Sequence, residues 1–216
     1  GSRSALISAE QSFQRAVKLD PNFAAAWGEL AVVHALKIFW GQDASAERRK
    51  KGDAAVARAQ QLAPEAPEVV RLVGTYFYYA NRDYAKATES YEKLLRLQPN
   101  DPTGYESLGL IQRRQGRWGE ALVNLRKAVE LEPANVTYVR NLLSTARYCR
   151  RWDEARAMQQ RLIALLPDQP REQWFAAQIE WDATGSEVAT ERFFNAMSPE
   201  LRDSEIGRYL IYNRAI

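Results

Sequence analysis

The 216-residue sequence predicts an all-α fold, a solenoid of antiparallel helix pairs, and three observations predict it. The stretch GRWGEALVNLRKAVELEP at 116–133 returns as RRWDEARAMQQRLIALLP at 150–167, with Trp118 and Trp152, Ala121 and Ala155, and Pro133 and Pro167 each 34 apart. Upstream, Tyr84, Ala87 and Pro99 precede Trp118, Ala121 and Pro133 by the same 34. A fixed period of this length marks stacked supersecondary units. Second, the apolar residues of one unit recur in steps of three and four. Trp118, Ala121, Leu122, Leu125, Ala128 and Val129 make one helical stripe, and Tyr105, Leu108 and Ile111 make another. Third, Gly116 reads as the break between those two helices, and Pro133 stops the second. Neither helix can bury its face alone, and stacking the pairs buries the faces continuously.

In YESLGLIQRRQGRWGEALVNLRKAVELEP, Tyr105, Leu108, Gly109, Gly116, Trp118, Ala121, Leu125, Ala128 and Pro133 together resemble the tetratricopeptide repeat (TPR) family. The resemblance implies a right-handed superhelical solenoid of about five repeats with degenerate ends. It covers residues 5 to 197. The copy ending at Pro167 keeps Leu142, Trp152, Ala155 and Leu162. The copy ending at Pro99 keeps Val73, Gly74, Phe77, Tyr84, Ala87 and Tyr91, with one residue added near Asn81.

Taken in order, residues 1–2 read as a cloning scar and 3–216 as one solenoid domain, cut from something longer. Residues 3–22 match a second helix only, through Ala9, Phe13, Ala16 and Pro21. Four repeats follow at 23–66, 67–101, 102–135 and 136–169. The first of them spans 43 residues from Pro21 to Pro64, and the excess falls in KIFWGQDASAERRKKGD at 37–53. That stretch reads as an extended turn, with ERRKKGD as a solvated loop. Residues 170–199 form a degenerate repeat, and 200–216, with Ile206, Tyr209, Leu210 and Tyr212, a C-terminal capping helix. Atypical end repeats are usual in solenoids.

Composition narrows the functions. A net charge of +3 and a pI near 9.0 are too weakly basic to argue for nucleic acid. The six arginines from Arg140 to Arg161 face only Asp153 and Glu154, but helical stacking spreads them over both faces. No apolar run approaches the roughly 18 residues of a membrane helix. The single cysteine, Cys149, allows no internal disulfide. Arg150 and Arg151 beside it favour the thiolate, but with no histidine partner it reads as a half-buried structural thiol. His34, the one histidine, falls where a repeat wants a bulky core residue and reads as packed. No acidic cluster has metal-ligand spacing and no phosphate loop appears, so the expectation is a non-catalytic chain without metal or cofactor.

The resemblance also implies a binding surface, because the first helix of each repeat in this family lines a concave groove. Carried onto this sequence, the groove takes Arg71, Thr75, Tyr78 and Tyr79 from one repeat, and Glu106, Leu110, Arg113 and Arg114 from the next. Beyond these come Thr137, Arg140, Asn141, Arg147 and Tyr148, then Arg171, Trp174, Gln178 and Trp181. This wall is arginine-rich with aromatic flanks and almost no carboxylate. Arginine forks bind carboxylates and stack on rings, which suits an extended acidic peptide or a chain terminus. The plainer expectation is that these arginines are solvated or paired with glutamates of the next helix, such as Glu106 or Glu120.

The expected function is a protein-interaction scaffold gripping a partner segment in that wall, with Arg113 or Arg140 to glutamate losing the partner. The alternative is a regulatory or sensory module of a larger bacterial protein, since LDPNFAAAWGELAVVHA and RRQGRWGEAL resemble TPR regions attached to kinases, nucleotide cyclases and winged-helix regulators. Self-association through Leu6, Ile7 and Phe13 is a third. The expected compartment is the cytoplasm, or the periplasm where a leader or anchor has been removed.

Overall fold

The computed structural model describes residues 3–212, the last three by backbone alone. Residues 1 and 2, read as a scar, and 213–216 of the expected cap lie outside the described residues, as do the side chains of Leu210 and Tyr212. The described residues form thirteen α-helices and no strand. They fall into two compact units, 1–115 and 116–216, divided between the two helices of the repeat expected at 102–135.

The first unit holds α1 (Arg3–Leu19), α2 (Ala24–Phe39), α3 (Ala46–Leu62), α4 (Pro67–Ala80), α5 (Tyr84–Leu97) and α6 (Pro102–Arg114). The second holds α7 (Trp118–Leu131), α8 (Val136–Tyr148), α9 (Trp152–Leu165), α10 (Pro170–Thr184), α11 (Val188–Ala196), α12 (Pro199–Asp203) and α13 (Glu205–Tyr212). Consecutive helices pack on one another from α1 to α6 and from α7 to α11, as do α12 and α13, and α2 also lies close along α4.

Local chemistry explains the helix ends. Pro67, Pro102 and Pro170 occupy the first helical turn, where a missing N–H costs nothing. Asp83, Asp101 and Asn135 cap α5, α6 and α8 by accepting from Lys86, Gly104 and Thr137 backbone N–H groups. Within a pair, the turn needs one left-handed residue. Arg82, Gly116 and Arg150 supply it, at φ of 52°, 75° and 54°, each 34 residues from the next. The residue added near Asn81 lengthens α4 to 14 residues against 13 in α6 and α8. Its effect shows in the turn: Asp83 N–H reaches back six residues to Phe77 O (3.0 Å), whereas Arg151 N–H reaches back five, to Ala146 O (2.9 Å).

The 37–53 segment corrects the sequence reading. The turn is confined to 40–45, and ERRKKGD forms the first two turns of α3 rather than a solvated loop. Ser45 caps this early start by accepting from Arg48 N–H at 3.2 Å, and Asp43 accepts from Ser45 N–H and from Arg48 Nε. Charge density in a sequence does not distinguish a loop from the solvated flank of a capped helix. The capping residue does.

In the first unit one core gathers Val17, Leu30, Ile38, Val56, Val73 and Tyr76 between α1 and α4. A second joins Val70, Tyr91, Leu94, Leu108 and Ile111 between α4 and α6. Tyr76 is fully buried because its hydroxyl finds Asp53 at 2.7 Å. Trp27 Nε1 and Tyr105 Oη each donate to a proline carbonyl six residues back, Pro21 and Pro99, at 3.0 Å. In the second unit Trp174, Ala177, Phe194 and Met197 form the core of the degenerate repeat. The expected single cap is two short helices, broken at Ser204, whose hydroxyl accepts from Gly207 N–H at 3.0 Å.

Candidate functional site: the first-helix walls

In the first unit the expected wall residues stand on α4 and α6. Arg71 lies 3.9 Å from Glu29 of α2, a loose and half-exposed pair. The Thr75 hydroxyl donates to Arg71 O and meets Tyr91 Oη, both at 3.0 Å, so it serves the fold. Tyr78 and Tyr79 meet edge to face, with ring centroids 4.8 Å apart. Phe39 of α2 extends the run onto Tyr79 at 4.9 Å, and Tyr84 of α5 extends it onto Tyr78 at 5.7 Å. Exposed Arg114 donates to Tyr78 Oη at 3.4 Å. Leu110 and Arg113 are half-buried on the same helix. The result is a ladder of four rings, Phe39, Tyr79, Tyr78 and Tyr84, with a guanidinium bonded at Tyr78. Sequence reasoning missed Phe39 because it was assigned to the extended turn.

In the second unit Arg147 Nη2 donates to Asp182 of α10 at 2.5 Å, both side chains about a third exposed. Together with Ser144 and Tyr148 they line a slot of about 320 Å³. Tyr148 is 74% exposed and its ring leans on Trp118 of α7, centroids 5.8 Å apart; Trp181, 44% exposed, precedes Asp182. Arg150 follows on the turn, exposed, with no ion-pair partner among the described residues. Asn141 is half-buried one turn before Thr145, which donates to its carbonyl at 2.7 Å.

Three expectations are revised. Trp174 is not presented on a wall: it is 3% exposed, packed against Phe193 and Phe194. Arg140 is no spare cation, since it donates to Glu172, a carboxylate 1% exposed that also accepts from Gln159 Nε2 at 3.1 Å. The wall is also not poor in carboxylate, because Glu29, Glu172 and Asp182 each meet one of its arginines. Glu29 of α2 faces Arg71 of α4, and Glu172 and Asp182 of α10 face Arg140 and Arg147 of α8, so the partners stand two helices along rather than on the next one.

The remaining titratable groups serve the fold. His34, 2% exposed, is packed as expected, with Nδ1 2.8 Å from Arg48, and burial first, then the Arg48 charge, bring its pKa down to about 4. Around it Glu10 of α1 accepts from both Lys37 and Arg48. Burial raises the Cys149 pKa and outweighs Arg151, so the neighbouring arginines do not activate the thiol. Among the described residues no group of three or more His, Cys, Asp or Glu is placed to hold a metal, and no helix is long and apolar enough to cross a membrane.

Residues 74–136 match the family model described as tetratricopeptide repeat, and the solved structures with this fold are of the same kind. Residues 74–136 therefore carry tetratricopeptide repeats, and the chain as a whole has the fold of such repeats. Its fold is similar to that of PilW, a widely conserved type IV pilus biogenesis factor, with a TM-score of 0.72 at 17% identity over 95% of this chain and 90% of that one. PilF of Pseudomonas aeruginosa gives 0.66 at 15% identity, over 98% of this chain and 91% of that one. YrrB, a TPR protein with an unusual peptide-binding site, gives 0.60 at 15% identity, over 96% and 100%. No curated protein matches the sequence. Proteins of this family act as protein–protein interaction scaffolds and are generally not enzymes.

Proposed function

We propose that this chain holds an extended, acidic segment of a partner protein against its first-helix walls, without catalysing a reaction. The observation that carries the reading is the slot of Ser144, Arg147, Tyr148 and Asp182, with exposed Trp181 preceding Asp182 and exposed Arg150 on the turn after Tyr148. The Arg147–Asp182 pair is exposed, and such pairs contribute only about 0–1 kcal/mol. An incoming carboxylate exchanges with Asp182 at little cost, and Arg147 can take it as a fork. Exposed Tyr148 and Trp181 offer flat apolar contact to the flanking residues, the ring-plus-arginine composition of binding hot spots. In the first unit Arg114 and the Tyr78–Tyr79 edge repeat that combination. YrrB supports the reading in that a protein of this fold carries a peptide-binding site.

The test is binding of an acidic peptide library by the whole chain and by Arg147→Glu and Tyr148→Ala. Loss of about tenfold or more in affinity is expected for each, with a salt dependence that steepens with peptide charge. Unchanged capture by both variants would remove the assignment.

A further inference from the structure

A cleft lies on the other flank of α10 from the Arg147 slot. Between α9 and α10 a crevice of about 230 Å³ is lined by Arg156, Gln159, Gln160, Ala176, Ile179 and Glu180. It shares Gln160, Ala176 and Glu180 with a wider cleft of about 540 Å³ that continues between α10 and α11. The floor there is apolar and shallow: Ala176, Ala177, Ala189, Phe193 and Met197. Arg192 stands exposed at the rim, with no ion-pair partner among the described residues.

Small residues and an open cleft are not by themselves a site. Gln159 supplies the second observation. It is 1% exposed, and its amide nitrogen donates to two acceptors, Glu172 O at 2.8 Å and Glu172 Oε2 at 3.1 Å. Two acceptors on one side fix the amide orientation, so Oε1 is the atom turned away from Glu172. That oxygen is buried and has no hydrogen-bond partner. A buried carbonyl left without a donor costs about 1–3 kcal/mol, and folded proteins rarely keep one.

We propose that this cleft binds an extended peptide segment of a partner protein that donates a backbone N–H to Gln159 Oε1, seats one bulky apolar side chain on the Ala176–Phe193 floor, and places a carboxylate on Arg192. The chemistry selects this occupant. An extended strand presents backbone N–H groups at alternate residues, whereas the N–H groups inside a helix are already bonded to its own carbonyls. The alanines leave room for one large side chain. The unpaired Arg192 asks for negative charge, since Arg156 and Glu180 already neutralise each other through two bonds at 2.8 and 3.0 Å. The site is separate from the Arg147 slot and does not rest on it.

The experiment selects random linear dodecapeptides displayed on phage against the full chain, then titrates synthetic copies by calorimetry. Selected peptides are expected to share one aromatic or long aliphatic residue flanked by aspartate or glutamate. Measured in an Arg147→Glu background, so that the Arg147 slot does not compete, Ala176→Trp, which fills the floor, and Arg192→Glu are each expected to weaken binding about tenfold or more. The Gln159 side-chain carbonyl carbon resonance should shift on saturation. Arg192→Glu is an exposed change that keeps the test valid if Ala176→Trp folds poorly. Four results each overturn the proposal: no peptide selected, peptides indifferent to Arg192, peptides that bind only as helices and lose affinity when proline is placed beside the anchor, or a concentration-dependent self-association that Ala176→Trp abolishes.

Discussion

Arg140 of α8 donates to Glu172 of α10 at 2.5 Å, and Glu172 is only 1% exposed. A carboxylate tolerates that burial because Gln159 and Arg140 both bond it. The pair therefore acts as a clasp within the second unit, reached from α8 on one side and α9 on the other.

Glu172→Ala leaves Arg140 without its acceptor and Gln159 with only the backbone carbonyl. Arg140 is about a third exposed and can turn to water, so the cost sits at the low end for a broken buried pair, about 3 kcal/mol. Urea unfolding should show a lowered midpoint. A midpoint within error of wild type would contradict the clasp.

Glu10 anchors α1 in the same way. Burial raises its pKa, but hydrogen bonds from Lys37 and Arg48 outweigh burial and hold it below the ordinary carboxylate value. Such a depressed carboxylate contributes stability above its unfolded pKa, and that stability is lost as pH falls through the folded one. Glu10→Gln should cost about 2 kcal/mol near neutrality, because buried Lys37 loses its carboxylate partner. Hydrogen exchange of α1 amides should rise in this variant ahead of those in α5.

His34 predicts a second pH effect. Its folded pKa, about 4, lies below its ordinary value of 6.5, so the unfolded chain takes up a proton that the folded one refuses. Stability contributed by neutral His34 is complete above pH 6.5 and falls as pH drops toward 4. Between pH 6.5 and 5, before most carboxylates titrate, His34→Asn should flatten the decline in unfolding free energy. An identical slope in both proteins would count against a neutral buried ring.

Arg150 and Gly116 occupy the same turn position at φ of 54° and 75°. A side chain in the left-handed region costs about 1 kcal/mol that glycine avoids. Arg150→Gly should stabilise by about 0.5–1 kcal/mol and Gly116→Ala should destabilise by about 1 kcal/mol. Thermal scans of the pair should move in opposite directions.

Gly28 sits in mid-helix, where alanine normally stabilises by about 1 kcal/mol. Here an added Cβ would lie 2.8 Å from Leu72 Cδ1 and 3.1 Å from Leu72 Cβ, and the second of these cannot rotate away. Gly28→Ala should therefore destabilise, by about 1–3 kcal/mol, and a raised melting temperature would refute the close α2–α4 approach.

Period, stripe and punctuation were legible in one dimension because each arises between residues a few positions apart. The 34-residue spacing located the paired helices, and glycine and proline marked their ends, apart from the early start of α3 that Ser45 caps. The candidate walls were legible only in part. Tyr148 stands exposed and Arg147 about a third exposed, while Trp174 turns into the core and Arg140 is claimed by Glu172.

By itself, the sequence determined the helix-pair architecture and its repeat, since periodicity and short-range steric rules do not depend on distant neighbours. Tertiary structure alone decided which arginines are committed to the fold, how Phe39 joins Tyr79, and that Gln159 keeps an unmatched oxygen beside an open cleft. Those outcomes depend on contacts between residues as far as 40 positions apart, as from Phe39 to Tyr79. Burial at such contacts sets whether a charge or a ring is spent on the core or left for a partner.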